Sequence, residues 1–551
     1  MLSLSSISKT ISSKLLFENL TFQLGEVEKV ALIGRNGIGK TTLFRLITEE
    51  DKDYSGEISK SRDYKIIKTE QEFFLDHEIT PLDYILNFVP KYRELHKVMK
   101  DYELDPSHDM DEITKFSDAI EEFHSLNFSQ IDNEIIQTLE SFGINMEQSL
   151  NPMMKMSGGE KRFVELCKVI YSQADIVLID EPTNHMDYVG KEKFIAWLKS
   201  FKKLVIVITH DRDILQVVDK IIELTPNGSK VFSGNYDKYI KQNSISNVSD
   251  INSYKTELDK IERLKELYLN FRKIKQMVAS PAARTSAAKK EERYYQEYLK
   301  AKAELVKPEF WIDQESLLGQ SKKVLEDYDK FKSKSINFKS FLVEDKSLNT
   351  ATLIKIQDLT LGFGERILTK NLNFQISMGD KVEIRGRNGA GKSTFLKYII
   401  NSYSQNKIIG FISGKIELHP KLKVGVYEQE IDNSELELTL AQIIRKLYDS
   451  ENLAFNDQEL SRVLANYLFD PILDKGLKLK SCSGGQKARI QLIKMLISNP
   501  NILILDEPTN HLDLSSIEEF ESMLKDYQGA VLYVSHDNYF RKNMGGKVVE
   551  F

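Results

Sequence analysis

One eight-residue pattern occurs twice in this chain, and it limits the fold more than anything else in the sequence. Gly34-Arg35-Asn36-Gly37-Ile38-Gly39-Lys40-Thr41 returns as Gly386-Arg387-Asn388-Gly389-Ala390-Gly391-Lys392-Ser393. Each copy follows an apolar run, Val30–Ile33 or Val382–Ile384, and precedes a run with helical character. Strand, glycine-rich loop and helix in that order make a phosphate-binding loop. Glycines let the backbone turn tightly so that its N–H groups point inward, and the following helix N-terminus favours an anion. Lys40 and Lys392 would reach the β- and γ-phosphates, Thr42 and Thr394 continue each loop into its helix, and the hydroxyls of Thr41 and Ser393 would hold Mg2+. The duplication predicts two α/β nucleotide-binding domains.

Other elements repeat in the same order. Ile176–Ile179 ends in Asp180-Glu181 and Ile502–Leu505 in Asp506-Glu507, both continuing into Pro-Thr-Asn-His. An aspartate at such a strand end would orient Mg2+ and its water, and the glutamate after it would polarise an attacking water. A further strand-like run in each copy ends in His210 or His536, placed to sense the γ-phosphate. Ser157-Gly158-Gly159 and Ser483-Gly484-Gly485 open helix-like runs and would form small anion nests, a weak signal alone.

Taken together, these motifs resemble the ATP-binding cassette superfamily over both flanking regions. The resemblance identifies Gly34–Thr41 and Gly386–Ser393 with the Walker A loops and Asp180-Glu181 and Asp506-Glu507 with Walker B and its catalytic glutamate. Ser157–Gly159 and Ser483–Gly485 match the signature motif, Gln71 and Gln429 the Q-loop and a further Mg2+ contact, Asp187 and Asp513 the D-loop, and His210 and His536 the switch histidine. The resemblance implies a P-loop NTPase fold, ATP hydrolysis, and two composite sites in a head-to-tail sandwich, each pairing one copy's Walker motifs with the other copy's signature. An adenine-stacking aromatic is implied at Phe363 in the second copy, where the equivalent count in the first gives Ile11.

Two cassettes joined by a charged helical stretch resemble the ABC-F family. Residues 1–241 and 350–551 are expected to be the cassettes and residues 242–349 a helical hairpin linker. Within the linker, Tyr254, Leu258, Ile261, Leu264, Tyr268, Phe271 and Met277 recur near helical spacing, then a break covers Ala279–Ser286, and Tyr294, Tyr298, Ala301 and Leu305 resume the period. Val324, Tyr328 and Phe331 make a third run. The formal charge of the chain is -6, yet Phe271–Lys290 holds Arg272, Lys273, Lys275, Arg284, Lys289 and Lys290 and no acid. Such a stretch suits a phosphate backbone. The resemblance implies that the linker enters the ribosomal E site and that its tip approaches P-site tRNA. The tip falls at Ala279–Lys289 or at Lys307–Trp311.

Register between the copies reveals an insertion. The offset is 352 positions from Gly34 to Gly386 and 358 from Gln71 to Gln429, then 326 from Ser157 to Ser483, Asp180 to Asp506 and His210 to His536. The first copy therefore carries 32 extra residues, expected within Lys91–Asn133 and resembling the family's helical arm.

Two cysteines, Cys167 and Cys482, cannot build a disulfide framework or a four-cysteine metal site, which fits a reduced cytoplasm. No stretch approaches the ~18–20 apolar residues of a membrane span, and no signal peptide is expected. The second cassette is expected to end at Phe551 without the basic extension that some ABC-F members carry. The implied activity is a cytoplasmic ATPase that binds the ribosome, through rRNA and tRNA, in its closed form and leaves on hydrolysis, working as a monomer with neither membrane nor DNA as partner. Antibiotic resistance by ribosome protection competes with a housekeeping role on stalled or idle ribosomes; the long linker favours protection. A transporter ATPase subunit with separate membrane partners and a DNA-repair cassette protein are the remaining alternatives. The tandem arrangement argues against the first, and the missing zinc cysteines against the second.

Overall fold

The computed structural model describes all residues except 1, 12–13, 62–63, 70–77, 105–108, 185, 306–350, 364–365, 405–409, 428–432, 452, 483 and 511. Gln71, Gln429, Ser483, the tip candidate Lys307–Trp311 and the run Val324–Phe331 lie outside the described residues. The chain divides into two units: Met1–Tyr236 with Asn337–Phe551, and Asp237–Ile336. Both cassettes lie in the first unit.

In the first cassette the antiparallel strands β1 (Leu2–Ile11), β2 (Lys14–Leu24) and β4 (Ser55–Lys60) form a sheet in the order β2-β1-β4. A second sheet has the order β5-β6-β7-β3-β8-β9, from β3 (Lys29–Gly34), β5 (Ile66–Lys68), β6 (Ile176–Asp180), β7 (Leu204–Ile208), β8 (Lys220–Thr225) and β9 (Gly228–Ser233). It is parallel except at β8-β9. Strands β3, β6 and β7 are buried throughout, which is why they read as unbroken apolar runs rather than alternating ones.

The second cassette repeats the plan. Strands β10 (Thr352–Phe363), β11 (Arg366–Ser377) and β13 (Phe411–Leu418) make the antiparallel sheet β11-β10-β13. Strands β12 (Lys381–Arg385), β14 (Val424–Tyr427), β15 (Ile502–Asp506), β16 (Ala530–Val534) and β17 (Lys547–Glu550) make the parallel sheet β14-β15-β16-β12-β17. Each cassette has one core trapped between its two sheets and the helix after the glycine loop. Phe17, Leu32, Phe44, Leu178 and Ile206 belong to the first core, and Ile356, Ile384, Phe395, Ile504 and Leu532 to the second.

Between the first cassette's β5 and β6, helices Tyr92–Leu104 and Met110–Ser125 pack antiparallel. Tyr102 stacks on Phe116, with ring centroids 4.3 Å apart, Tyr92 lies 5.8 Å from Phe123, and Lys91 pairs with Glu122. The outer ends of both helices carry exposed apolar residues, Leu104 and Met110.

The second unit holds two helices, Tyr236–Met277 and Pro281–Glu304; the first of them begins ahead of residue 242. Phe271 stacks on Tyr294 at 5.6 Å, Tyr268 meets Tyr295 and Tyr298, and Lys275 bonds Glu291 at 2.9 Å. These contacts fold the pair into an antiparallel hairpin. The break is shorter than Ala279–Ser286. Pro281 takes the first helical position, where its missing N–H costs nothing and its fixed φ already suits a helix. Met277, counted with the apolar period, is 83% exposed beside the turn.

Candidate functional site

Parallel strands bring the repeated motifs to one sheet edge. β3 lies between β7 and β8, and β6 pairs with β7. The glycine loop after β3, Asp180-Glu181 at the end of β6, and Thr209-His210 after β7 therefore converge outside the carboxyl ends of the strands, where open α/β sheets hold ligands. β12, β15 and β16 do the same for Gly386–Ser393, Asp506-Glu507 and His536.

Each loop takes its shape from glycines that no other residue could replace cheaply. Gly39 and Gly391 cap their helices at φ 99° and 101°. A Cβ on Gly39 would meet the Phe17 ring at 2.8 Å, and one on Gly391 would meet the Leu368 side chain at 2.9 Å. The lysines turn back over the loops. Lys40 Nζ donates to the Gly34 carbonyl at 2.7 Å and Lys392 Nζ to those of Gly386 and Arg387 at 2.9 and 3.0 Å. The ammonium groups are thus held where phosphate oxygens would arrive. Burial lowers the pKa of both lysines, partly offset by Glu181 for Lys40 and by Glu507 for Lys392.

Thr41 Oγ1 donates to Asp180 Oδ2 at 2.7 Å, and Ser393 bonds Asp506. A hydroxyl and a carboxylate so close, beside a phosphate loop, fit Mg2+ whose remaining ligands are phosphate oxygens and water. Among the described residues no cluster of three or more His, Cys, Asp or Glu side chains could hold a metal without such help.

Glu181 and Glu507 sit at φ 45° and 48°, in the left-handed region that a glutamate rarely enters. Strain repeated at the same acid in both copies is of the kind that collects at functional sites. Burial raises their pKa, joined by the charge of Asp180 or Asp506, to about 8 for Glu181 and about 7 for Glu507. His210 Nε2 lies 3.7 Å from Glu181 Oε1, and His536 Nε2 3.4 Å from Glu507 Oε1. Burial, then the nearby lysine, lowers the histidines to about 3 and about 4, so both rings are neutral at physiological pH. Both ring nitrogens of His210 are buried with no hydrogen-bond partner among the described residues, which suits a ring waiting for a polar ligand group.

The cassettes meet across the sites. Asn388 N–H donates to Asp187 Oδ2 at 3.1 Å, and Asn36 N–H to Asp513 Oδ2 at 3.4 Å, so each D-loop aspartate holds the other cassette's phosphate loop. Asp187 and Asp513 also cap their own helices through the N–H groups of Gly190 and Ser516. A cavity of about 1510 Å³ runs along this seam. Its lining includes Asn36, Gly37, Gly39, Lys40, Thr41 and Thr42 with Asp180, Glu181 and His210, and Asn388, Gly389, Gly391, Lys392, Ser393 and Thr394 with Asp506, Glu507 and His536. Ser157, Gly158 and Gly159 line it too; from the second signature region it is lined by Cys482, Lys487 and Ala488, next to the helix Gly484–Leu496. That volume exceeds the ~300–1,000 Å³ usual for one small-molecule pocket.

The cavity also reaches Ile11 and Phe363, each the last residue of its cassette's first strand and each about half exposed. Base–aromatic stacking contributes about 1–3 kcal/mol. Ile11→Phe, made with Lys392→Met to silence the second site, is expected to tighten fluorescent-ATP binding by about 1–3 kcal/mol; an unchanged affinity would mean that the base lies elsewhere.

The motifs missed several residues that bridge the cassettes. Arg212 Nη1 bonds Glu521 Oε1 at 3.0 Å in a buried ion pair, Gln216 bonds Tyr539 at 2.5 Å, Asn538 bonds Asp213 at 2.9 Å, and Lys191 reaches the His536 carbonyl. No motif marks them. For Lys191, Arg212 and Glu521 the signal is a charged residue where the other copy has an uncharged side chain, such as Ile195 opposite Glu521 in register.

The family described as "ABC transporter" matches residues 17–184 and 369–510, over half of the chain. The YdiF protein of Bacillus subtilis (strain 168) is 30% identical over 100% of this chain and 79% of its own length. The ABC transporter F family member 5 of Arabidopsis thaliana is 26% identical, over 99% and 74%. The chain belongs to the ABC-F family. Another relative of this ABC-F protein, the ribosome protection protein VmlR of Bacillus subtilis (strain 168), is 27% identical over 99% of the chain and 86% of VmlR. Among solved structures an RNase-L inhibitor matches with a TM-score of 0.54 and 16% identity, covering 100% of this chain and 87% of that one, a likeness of fold alone. The ABC-F protein is an ATP hydrolase with two cassettes. Among the described residues no helix is long and apolar enough to cross a membrane.

Proposed function

We propose that this ABC-F ATPase acts on the ribosome in the cytoplasm. ATP, with Mg2+ held by Thr41 and Asp180 and by Ser393 and Asp506, closes the cassettes as a monomer. The closed form enters the E site, and the helical unit contacts rRNA and P-site tRNA. There the protein protects the ribosome by displacing an antibiotic from the peptidyl-transferase region, and hydrolysis releases it.

The observation that carries this reading is the likeness to VmlR along nearly the whole chain, including the stretch between the cassettes. The helical unit lends support. A helix of 42 residues spans roughly 60 Å, far beyond what a spacer between two domains needs. Near its turn Arg272, Lys273, Arg284, Lys289 and Lys290 are exposed. Lys275 is half-buried in its pair with Glu291, so RNA contact falls to the other five. Lys290 also lies over the Phe271 ring at 5.3 Å. Phosphate contacts of this kind position a protein without reading sequence.

Cell-free translation stalled by inhibitors of the peptidyl-transferase region tests the proposal. Added protein with ATP is expected to restore synthesis for at least one inhibitor, and the Glu181→Gln, Glu507→Gln form to fail at it. Ribosome binding without rescue from any inhibitor would replace protection with the housekeeping role.

A further inference from the structure

The helices Tyr188–Ser200 and Leu514–Asp526 are equivalent in register, each capped by its D-loop aspartate. Four residues after the aspartate the copies differ: Lys191 in the first, Ile517 in the second, both buried. Lys191 Nζ lies 2.8 Å from Asp211 Oδ2 and 2.9 Å from Asp213 Oδ2, both in its own cassette. It also donates a 2.7 Å hydrogen bond to the backbone carbonyl of His536 in the other cassette. The His536 N–H in turn donates to Glu507 Oε2 at 3.1 Å. One peptide segment is therefore gripped from both sides: by the first cassette through its carbonyl, and by the second site's glutamate through its amide. Burial of Lys191 opposes its charge, and Asp211, Asp213 and Asp537 outweigh that and raise its pKa. Ile517 has no donor with which to repeat the contact at the His210 carbonyl.

We propose that Lys191 is a positioning residue for the second ATP site alone: by holding the His536 carbonyl across the closed cassette seam it sets His536 and Glu507 for hydrolysis, so that the two sites are unequal by construction. This goes beyond the ribosomal reading and stands whatever the macromolecular partner is.

The test reads each site separately in the full chain. Orthovanadate traps the product of 8-azido-ATP labelled at the α-phosphate, light fixes it, and proteolysis between the cassettes assigns the label. Lys191→Met is expected to lower trapping in the second cassette by about tenfold relative to the first, the scale of one charge-assisted hydrogen bond. Lys191→Arg is expected to restore most of it. Equal loss in both cassettes would make Lys191 a mere interface pin and overturn the proposal, as would no loss at all. Should Lys191→Met fail to fold, as judged by its melting temperature, Asp213→Asn loosens the same ammonium from a half-buried position. A smaller loss confined to the second cassette is then expected, and a loss shared equally would overturn the proposal.

Discussion

Replacing both Glu181 and Glu507 by glutamine is expected to lower ATP turnover by about 100-fold or more while leaving ATP binding intact. Glutamine keeps the size of the side chain and its oxygen acceptor but cannot take a proton from water. Each glutamate sits beside a histidine that is neutral at physiological pH and, at its strand end, next to an aspartate bonded to the loop hydroxyl. Burial brings the pKa of both acids close to the operating pH, the range in which a general base is most effective. Nucleotide affinity is expected to rest on other groups, chiefly the glycine-loop N–H groups, Lys40 and Lys392. Steady-state phosphate release and equilibrium binding of a fluorescent ATP analogue check the two halves of this statement. Turnover above a tenth of the unmodified rate would move the general base elsewhere.

Glu521→Ala should have the largest effect on closure of the cassettes. It leaves Arg212, buried to 3% exposure, without the carboxylate bonded to Nη1. Breaking a buried pair by removing one partner costs about 3–5 kcal/mol, because the remaining charge stays desolvated. Asp537 still attracts Arg212, and the guanidinium still lies 5.6 Å from the Tyr539 ring centre, so the lower end of that range is expected. Asn543 also loses an acceptor, its 2.9 Å bond to Glu521. The variant should need more ATP to close, read as distance between fluorophores on the two cassettes across an ATP titration. Glu521→Gln should lie between the two. An unchanged titration would show that Arg212–Glu521 does not form in the closed state.

Much of the site was legible in the sequence because its parts are contiguous. A phosphate loop needs glycines, a lysine and a hydroxyl within eight residues, and buried parallel strands need unbroken apolar runs, so Gly34–Thr41, Ile176–Glu181 and their second copies stand out. The contacts between cassettes do not, because Lys191 and His536, or Arg212 and Glu521, are more than 300 positions apart. The left-handed backbone at Glu181 and Glu507 is equally hidden, since glutamate has no preference for it and the strain comes from the tertiary setting. Composition makes the turn between the long helices look wider than it is: Pro281 and Ser286 look like breakers, but a proline at the first helical position starts a helix. Packing between Tyr92 and Phe123, or Tyr102 and Phe116, depends on which faces two helices share, and the count of extra residues in the first copy says nothing of it.

Ribosome binding by the closed, ATP-bound form is tested by co-sedimentation of the Glu181→Gln, Glu507→Gln variant with ribosomes. With ATP the variant is expected to pellet with ribosomes in near-stoichiometric amount and without ATP to stay in solution, and imaging of the pellet is expected to find the helices Tyr236–Met277 and Pro281–Glu304 against P-site tRNA. A variant that binds ATP normally and yet remains in the supernatant would contradict ribosome binding by the closed form.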